Sequence, residues 1–407
     1  MKRLVLFFDG TWNSPERQGA TRLRALYKPT NVLKLYRAMQ PRGADGATEV
    51  GLYVEGVGAF IGERSSAGRL QALGDRLFGG LFGGGFEGRV KAACRFLIGN
   101  WEPGDTIHLF GFSRGAAQAA SLARFLAWCG GLLAKRDEYY LPELYARFRD
   151  RRAAPGAAAE AIAGIRDRAS GESGTMLDPR PLEIAFLGLF DPVLALGSRL
   201  RADLFAGEVD TVEHELAFHA GRELPANVRV ARVALAIDER RWDFRPILWR
   251  PPAELADRLE LRWFPGVHSN VGGGYARDGL ANFPLYWMAS EARAAGLDFD
   301  RDYLANFRPN PKGERPDEHR GWIRWSEILR GRSGQGSRRI DAVDGVVDDS
   351  ALRLLLADPT YRPPNLLRAI RRRPELLAGL SIEARARIRE LTAAQRAAGA
   401  SANIPGV

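Results

Sequence analysis

The sequence predicts an α/β fold, a mostly parallel sheet with helices on both faces. Three observations carry this expectation. Short strand-like runs rich in apolar residues recur between residues 4 and 264. Helix-like segments separate them, which implies parallel strands joined by crossovers. The first of them, 4–8, is apolar throughout, as a strand buried on both faces should be.

Residues 4–8 form the first strand signal, and 31–39 read as a helix started by Thr30 after Pro29. A strand at 50–54 leads into Glu55-Gly56-Val57-Gly58, and a glycine-rich stretch follows at 79–86. A helix over 87–98 and a turn over 101–105 precede a strand over 105–110, and a further helix occupies 116–128. Later strands are expected over 182–190, 228–237 and 259–264. The stretches 130–180 and 194–227 interrupt this rhythm and are candidate cap elements over a site. Beyond residue 300 Pro, Arg and Gly become frequent, with short helices over 350–356 and 382–398. The expected organisation is a main α/β domain over 1–295 and a helical or irregular extension over 296–407 packed on it.

A chain of 407 residues suits one large α/β domain with such additions. Lys and Arg number 59 against 49 Asp and Glu, a net charge of +10. The basic residues are interspersed with acids, and no basic helix carries interleaved aromatics. This reads as a solvated surface, with no nucleic acid expected as partner. Cys94 and Cys129, both in apolar helix-like segments, lack metal-ligand spacing; they read as buried thiols in a reducing compartment, with no metal or cofactor. The N-terminal apolar run stops at Asp9, too short for a signal peptide, and no stretch is long enough to span a bilayer as a helix. Synthesis in the cytoplasm is expected, with any export left to a signal-less system.

The chemistry concentrates at Gly111-Phe112-Ser113-Arg114-Gly115, between a strand and a helix. This is the nucleophile elbow G-x-S-x-G in its required context, whose glycines permit a tight turn and whose serine is held in strained geometry. A surface serine turn is the plainer alternative. A serine needs a base, and the base needs an orienting acid. Of five histidines, His108 lies within a strand, His214 and His219 share a helix-like segment, and His319 sits in a charged turn. His268 follows the 259–264 strand in a glycine-bounded loop, where open α/β sheets build their sites. Two acids compete for the third role, Asp191 after the 182–190 strand and Asp238 after the 228–237 strand. Either gives the order Ser, Asp, His of an α/β hydrolase. The common topology of that fold, with the acid ending the strand before the histidine strand, favours Asp238. For an oxyanion hole, the amide of Arg114 and that of Gly10 or Thr11 are the candidate donors. Asp9-Gly10-Thr11 does not fit an aspartyl phosphatase, because Phe7 stands where the nucleophilic aspartate would be. The 79–86 stretch lacks the Lys-Ser/Thr ending of a P-loop; a mobile lid with an apolar rim and a tightly packed connection both fit it.

Five motifs in order resemble one family. They are Leu6-Phe7-Phe8-Asp9-Gly10-Thr11-Trp12-Asn13, Gly111-Phe112-Ser113-Arg114-Gly115-Ala116, Gly188-Leu189-Phe190-Asp191-Pro192-Val193, Ala236-Ile237-Asp238-Glu239, and the run from Trp263 through His268-Ser269-Asn270 to Tyr275. Together they resemble the α/β-hydrolase domain of bacterial type VI secretion phospholipase effectors, from residue 4 to about 290, with a weaker trace at Tyr361-Arg362-Pro363-Pro364-Asn365. The resemblance implies a lipolytic triad of Ser113, Asp191 and His268, and so prefers Asp191 to Asp238. This chain departs from the family pattern at Pro192, Asn270 and Ala120, where Thr, Asp and Arg are usual.

The expected function is a serine ester hydrolase working through an acyl-enzyme on acyl esters such as glycerophospholipids. The alternatives are a cytoplasmic esterase or thioesterase on soluble esters, and a non-catalytic binding module on a hydrolase scaffold. A transient membrane-surface contact and a secretion or immunity partner are compatible with the first reading.

Overall fold

The structure is a computed structural model that describes residues 1–10, 27–56, 84–149, 157–169, 179–193, 223–241, 244–249, 253–317, 338–342 and 344–401. Thr11, His214, His219, His319, residues 79–83 of the glycine-rich stretch and 194–222 of the second insertion lie outside them.

Nine strands occur among the described residues: β1 (Lys2–Phe8), β2 (Tyr27–Thr30), β3 (Thr48–Val54), β4 (Thr106–Phe112), β5 (Ile184–Phe190), β6 (Ala231–Ala236), β7 (Leu259–Phe264), β8 (Gly273–Tyr275) and β9 (Val346–Val347). Seven of them form one sheet in the order β3-β1-β4-β5-β6-β7-β9, with every neighbouring pair parallel. The helices are α1 (Asn31–Ala38), α2 (Gly84–Asn100), α3 (Arg114–Trp128), α4 (Leu141–Arg149), α5 (Ala157–Ala169), α6 (His268–Gly272), α7 (Asn282–Ala294), α8 (Arg301–Leu304), α9 (Asp349–Ala357), α10 (Pro364–Arg372) and α11 (Ile382–Ser401). The expected α/β-hydrolase-like sheet is what forms.

Strand alternation divides the core in two. Leu4, Leu6, Phe8, Leu109, Leu187, Leu189, Val233 and Trp263 face a large, mainly aliphatic cluster with α2 and α3. Val5, Phe7, Phe110, Phe186, Phe190 and Phe264 face a smaller aromatic cluster with α1 and α7, where Phe7 and Phe110 stack with ring centroids 5.2 Å apart. Both faces are apolar at the centre of the sheet, which is why β1 and β5 are buried almost throughout, whereas β7 carries Glu260 and Arg262. The described part of the first insertion belongs to the aliphatic cluster through Leu141, Tyr145, Phe148 and Ile165. So does much of the chain after residue 295, through Ile340, Leu354, Leu367 and Ile370, and Val346–Val347 adds the seventh strand.

Some elements differ from the sequence expectation. β2 and β8 form a separate antiparallel pair; their four and three residues, including Gly273 and Gly274, carry no strand pattern. His268 opens the short helix α6 rather than sitting in an irregular loop.

Candidate active site

The chain leaves β1 outward to β3 and returns on the other side of β1 to β4, so the order reverses between β1 and β4. Open α/β sheets place crevices at the carboxyl ends of strands at such a point. Ser113 ends β4 there and N-caps α3, with φ 58° and ψ −125°. A non-glycine residue at positive φ costs on the order of 1–3 kcal/mol and survives only where its surroundings enforce it. Two glycines do the enforcing. A Cβ on Gly115 would lie 2.3 Å from the Phe8 carbonyl oxygen, and one on Gly111 would lie 2.5 Å from Ala116 Cα. The elbow can therefore press against the end of β1 only with glycine at 115, and fold back onto the start of α3 only with glycine at 111. Ser113 is 6% exposed.

Asp191 follows β5, also at positive φ (42°), and is fully buried. Its Oδ1 accepts the Ala236 amide at 3.0 Å, so the carboxylate leans across β6 toward β7. There His268 Nδ1 lies 2.6 Å from Asp191 Oδ2. The imidazole is wedged between Phe112, with ring centroids 4.8 Å apart, and Phe244, at 4.9 Å edge-on. Phe112 is the residue before Ser113, so the base candidate packs on the elbow itself. Gly272 leaves room for that ring, since a Cβ there would fall 1.9 Å from Phe112 Cε2. Among the described residues no hydrogen bond joins Ser113 Oγ to the imidazole; such bonds commonly tighten only when substrate is bound.

Asp238 points elsewhere. Its Oδ2 accepts the Gly266 amide at 2.6 Å, and its Oδ1 faces the Tyr361 hydroxyl at 3.4 Å. It closes the turn beyond β6 and β7. Burial pushes its pKa up to about 6 despite these hydrogen bonds.

The carboxylate of Asp191 has a partner the sequence did not reveal. Arg338 Nη1 donates to Asp191 Oδ1 at 2.5 Å, and Nη2 to Oδ2 at 2.9 Å. Burial alone would raise the Asp191 pKa, but the Arg338 charge and the His268 hydrogen bond outweigh it and hold the group well below the usual carboxylate range. An ionised carboxylate only accepts hydrogen bonds, so Nδ1 of His268 carries a proton and Nε2 is the nitrogen left to act as base. Glu239 is a second unforeseen contact: its Oε2 accepts the His268 amide at 3.2 Å, while Arg241 bonds both of its oxygens. Arg338 sits in an arginine-dense stretch without pattern, so no signal marked it. Glu239 stood in the Ala236–Glu239 motif, beside the acid that drew attention.

The β1 loop is held as firmly. Asp9 Oδ2 accepts from the hydroxyls of Thr30, at 2.6 Å, and Tyr53. Its Oδ1 accepts the Gly10 amide at 2.6 Å. Burial raises the Asp9 pKa to about 6 against these hydrogen bonds. The Gly10 N–H is thus engaged by its own neighbour. Arg114 opens α3, where first-turn amides have no intrahelical acceptor and point toward the elbow.

Helix α6 is braced from the far side. Asn31, at the start of α1, donates to the carbonyls of Val271 and Ala281 at 2.8 and 2.7 Å. Lys34, fully buried, donates to Asp278, Asn282 and Asn31. Ser113, Asp191 and His268 are thus brought to one end of the sheet with the β1 loop beside them, and Asp238 is not among them. His108 is buried in β4 on the opposite stretch, 3.2 Å from the Ala295 carbonyl. Among the described residues no cluster of three or more His, Cys, Asp or Glu is arranged to hold a metal ion.

Comparison with known proteins gives this geometry a family. The family model described as "T6SS, Phospholipase effector Tle1-like, catalytic domain" matches residues 2–291. The chain belongs to this family. It is a family of phospholipase effectors, hence of hydrolases, and the matched stretch holds Ser113, Asp191 and His268 but ends before Arg338. The chain is also 27% identical over 265 residues to "Uncharacterized protein YEL023C" of Saccharomyces cerevisiae, covering 61% of this chain and a third (33%) of that protein. Solved structures similar to it include an uncharacterized protein from Pseudomonas aeruginosa, at TM-score 0.41 and 18% identity over 97% of this chain and 62% of the other. Another is the Tle1 effector bound to the VgrG spike of the type 6 secretion system, at TM-score 0.39 and 18% identity over 83% of this chain and 80% of the other.

Proposed function

We propose that this protein is a serine ester hydrolase acting on glycerophospholipids, with Ser113 as nucleophile, His268 as general base and Asp191 as orienting acid. The observation that carries the reading is the buried Asp191–His268 pair, at 2.6 Å, packed through Phe112 against a strained serine elbow. His268 Nε2 takes the Ser113 hydroxyl proton as Oγ attacks the ester carbonyl. The tetrahedral oxyanion is held by the Arg114 amide and by the loop after β1. With the Gly10 amide already turned onto Asp9, Thr11 is the proposed second donor. The imidazolium then protonates the departing alcohol. Water, deprotonated by the same imidazole, cleaves the acyl-enzyme and releases the fatty acid.

The family's description supports a phospholipid substrate and delivery by a type VI secretion system, and a secretion partner is proposed with it. Among the described residues no helix is long and apolar enough to cross a membrane, so contact with lipid is proposed to be transient and at the surface.

Ser113→Ala tests the chemistry. It should lower kcat by at least about 10³-fold while leaving the thermal melt in place, and abolish labelling by a fluorophosphonate probe. Undiminished turnover in this variant would sink the proposal. Phospholipid vesicles compared with short soluble esters test the substrate: faster turnover at the lipid surface is expected, and equal or better turnover of soluble esters would favour a soluble-ester esterase.

A further inference from the structure

Arg338 reaches the site from outside the stretch that the family model matches. It is 5% exposed, and among the described residues its guanidinium makes four hydrogen bonds. Two go to Asp191, one to the Ala236 carbonyl at 3.0 Å and one to the Phe244 carbonyl at 2.8 Å. We propose that Arg338 is a positioning residue for the Asp191–His268 pair, and that the chain around 338–365 is thereby part of the machinery rather than an appendage. The proposal rests on the hydrolase reading given above.

The carboxylate geometry carries the argument. An ionised carboxyl group offers about four lone-pair positions. Oδ1 of Asp191 takes Arg338 Nη1 and the Ala236 amide, and Oδ2 takes Arg338 Nη2 and His268 Nδ1. All four are filled, so the carboxylate plane has no freedom to turn away from the imidazole. The planar fork of arginine suits this bidentate task, and a lysine could fill only part of it.

Arg338 is itself anchored. Asn365 Nδ2 donates to the Arg338 carbonyl at 3.2 Å and to the Ile237 carbonyl, just beyond β6, at 2.8 Å. Asn365 closes the run Tyr361-Arg362-Pro363-Pro364-Asn365, in which the Arg362 guanidinium bonds the carbonyls of Leu355, Asp358 and Tyr361. Arg315 pairs with Asp358 at 2.7 Å and lies 4.7 Å over the Tyr361 ring. That run, which no catalytic role had absorbed, is the bracket that holds Arg338 at the end of β6.

A second consequence is electrostatic. Among the described residues the charged groups around the imidazole are Asp191 and Glu239, opposed by Arg338 and by Arg241, which pairs with Glu239. Two acids balance two bases. Removing Arg338 leaves an uncompensated negative charge beside His268, which favours the protonated ring. The acid limb of kcat/KM should then move to higher pH.

Arg338→Met is expected to lower kcat per fluorophosphonate-titrated site by about 100-fold with little change in KM. It should also raise the acid limb by roughly one pH unit. Arg338→Lys keeps the charge but not the fork; the acid limb should stay in place and kcat should fall by about 10-fold. NMR titration of His268, one of five histidines, in the Ser113→Ala background gives a readout independent of turnover, and its midpoint should rise only when the charge is removed. Unchanged kcat per titrated site in either variant, or an unmoved His268 titration in Arg338→Met, would overturn the proposal. If Arg338→Met does not fold, Arg338→Lys decides through its kcat. Failure of wild-type protein to label would instead sink the hydrolase reading, and the NMR titration would still judge Arg338.

Discussion

At the scale of single residues, two acids with similar sequence credentials end in different surroundings. Asp191 is ionised and pinned between Arg338 and His268, whereas Asp238 fastens a turn. Their asparagine variants should therefore diverge. Asp191→Asn is expected to lower kcat by about 10³–10⁴-fold, because an amide no longer selects the Nδ1–H tautomer. It should also destabilise the fold by about 3–5 kcal/mol, because Arg338 is left as a buried unpaired charge. Asp238→Asn should leave kcat unchanged, and a large loss there would return the acid role to Asp238. The general rule that the acid ends the strand before the histidine strand points to Asp238. The contact between Asp191 and His268 departs from that rule because the Asp191 side chain spans β6 through the Ala236 amide.

At the scale of elements, the base candidate depends on how α6 is seated. Its brace is α1, through the side chain of Asn31. Asn31→Ala strips hydrogen bonds from two buried carbonyls and from the Lys34 ammonium, a cost of about 2–3 kcal/mol. Denaturant midpoints should show this loss. Activity measured where both proteins are fully folded should fall by about 10-fold as the imidazole loosens; a stability loss with full activity would make the brace purely structural. The short antiparallel pair of β2 and β8 belongs to the same bracket. It was illegible in sequence because each partner is too short to show a period.

At the scale of the whole molecule, buried carboxylates give stability a pH signature. Asp9 and Asp238 both have pKa values of about 6 when folded, against about 4 in an unfolded chain. The folded state binds their protons more tightly, so the stability they contribute is complete below about pH 4 and is lost as pH rises through 6. Asp191 runs the other way. Its depressed pKa contributes stability above about pH 4 that is lost as pH falls. Asp238→Asn mimics the protonated group, so its melting temperature relative to wild type should be higher at pH 7.5 than at pH 4.5. Melts that shift equally at both would show that Asp238 is not held neutral by burial.

The positions of six strands of the main sheet and the serine elbow were legible in the sequence, because both depend on local signals. Strands buried on both faces are rich in apolar residues, and a turn packed this tightly against β1 and the start of α3 admits only glycine at 115 and 111. His268 was legible as a residue, though not as the start of a helix. Which of Asp191 and Asp238 approaches His268 is visible only in the tertiary structure, since it turns on where a carboxylate leans after the backbone is placed. Arg338 belongs wholly to the tertiary structure. Its partner Asp191 lies 147 residues away in the chain, and an arginine that pairs at such a distance leaves no local period or spacing to read.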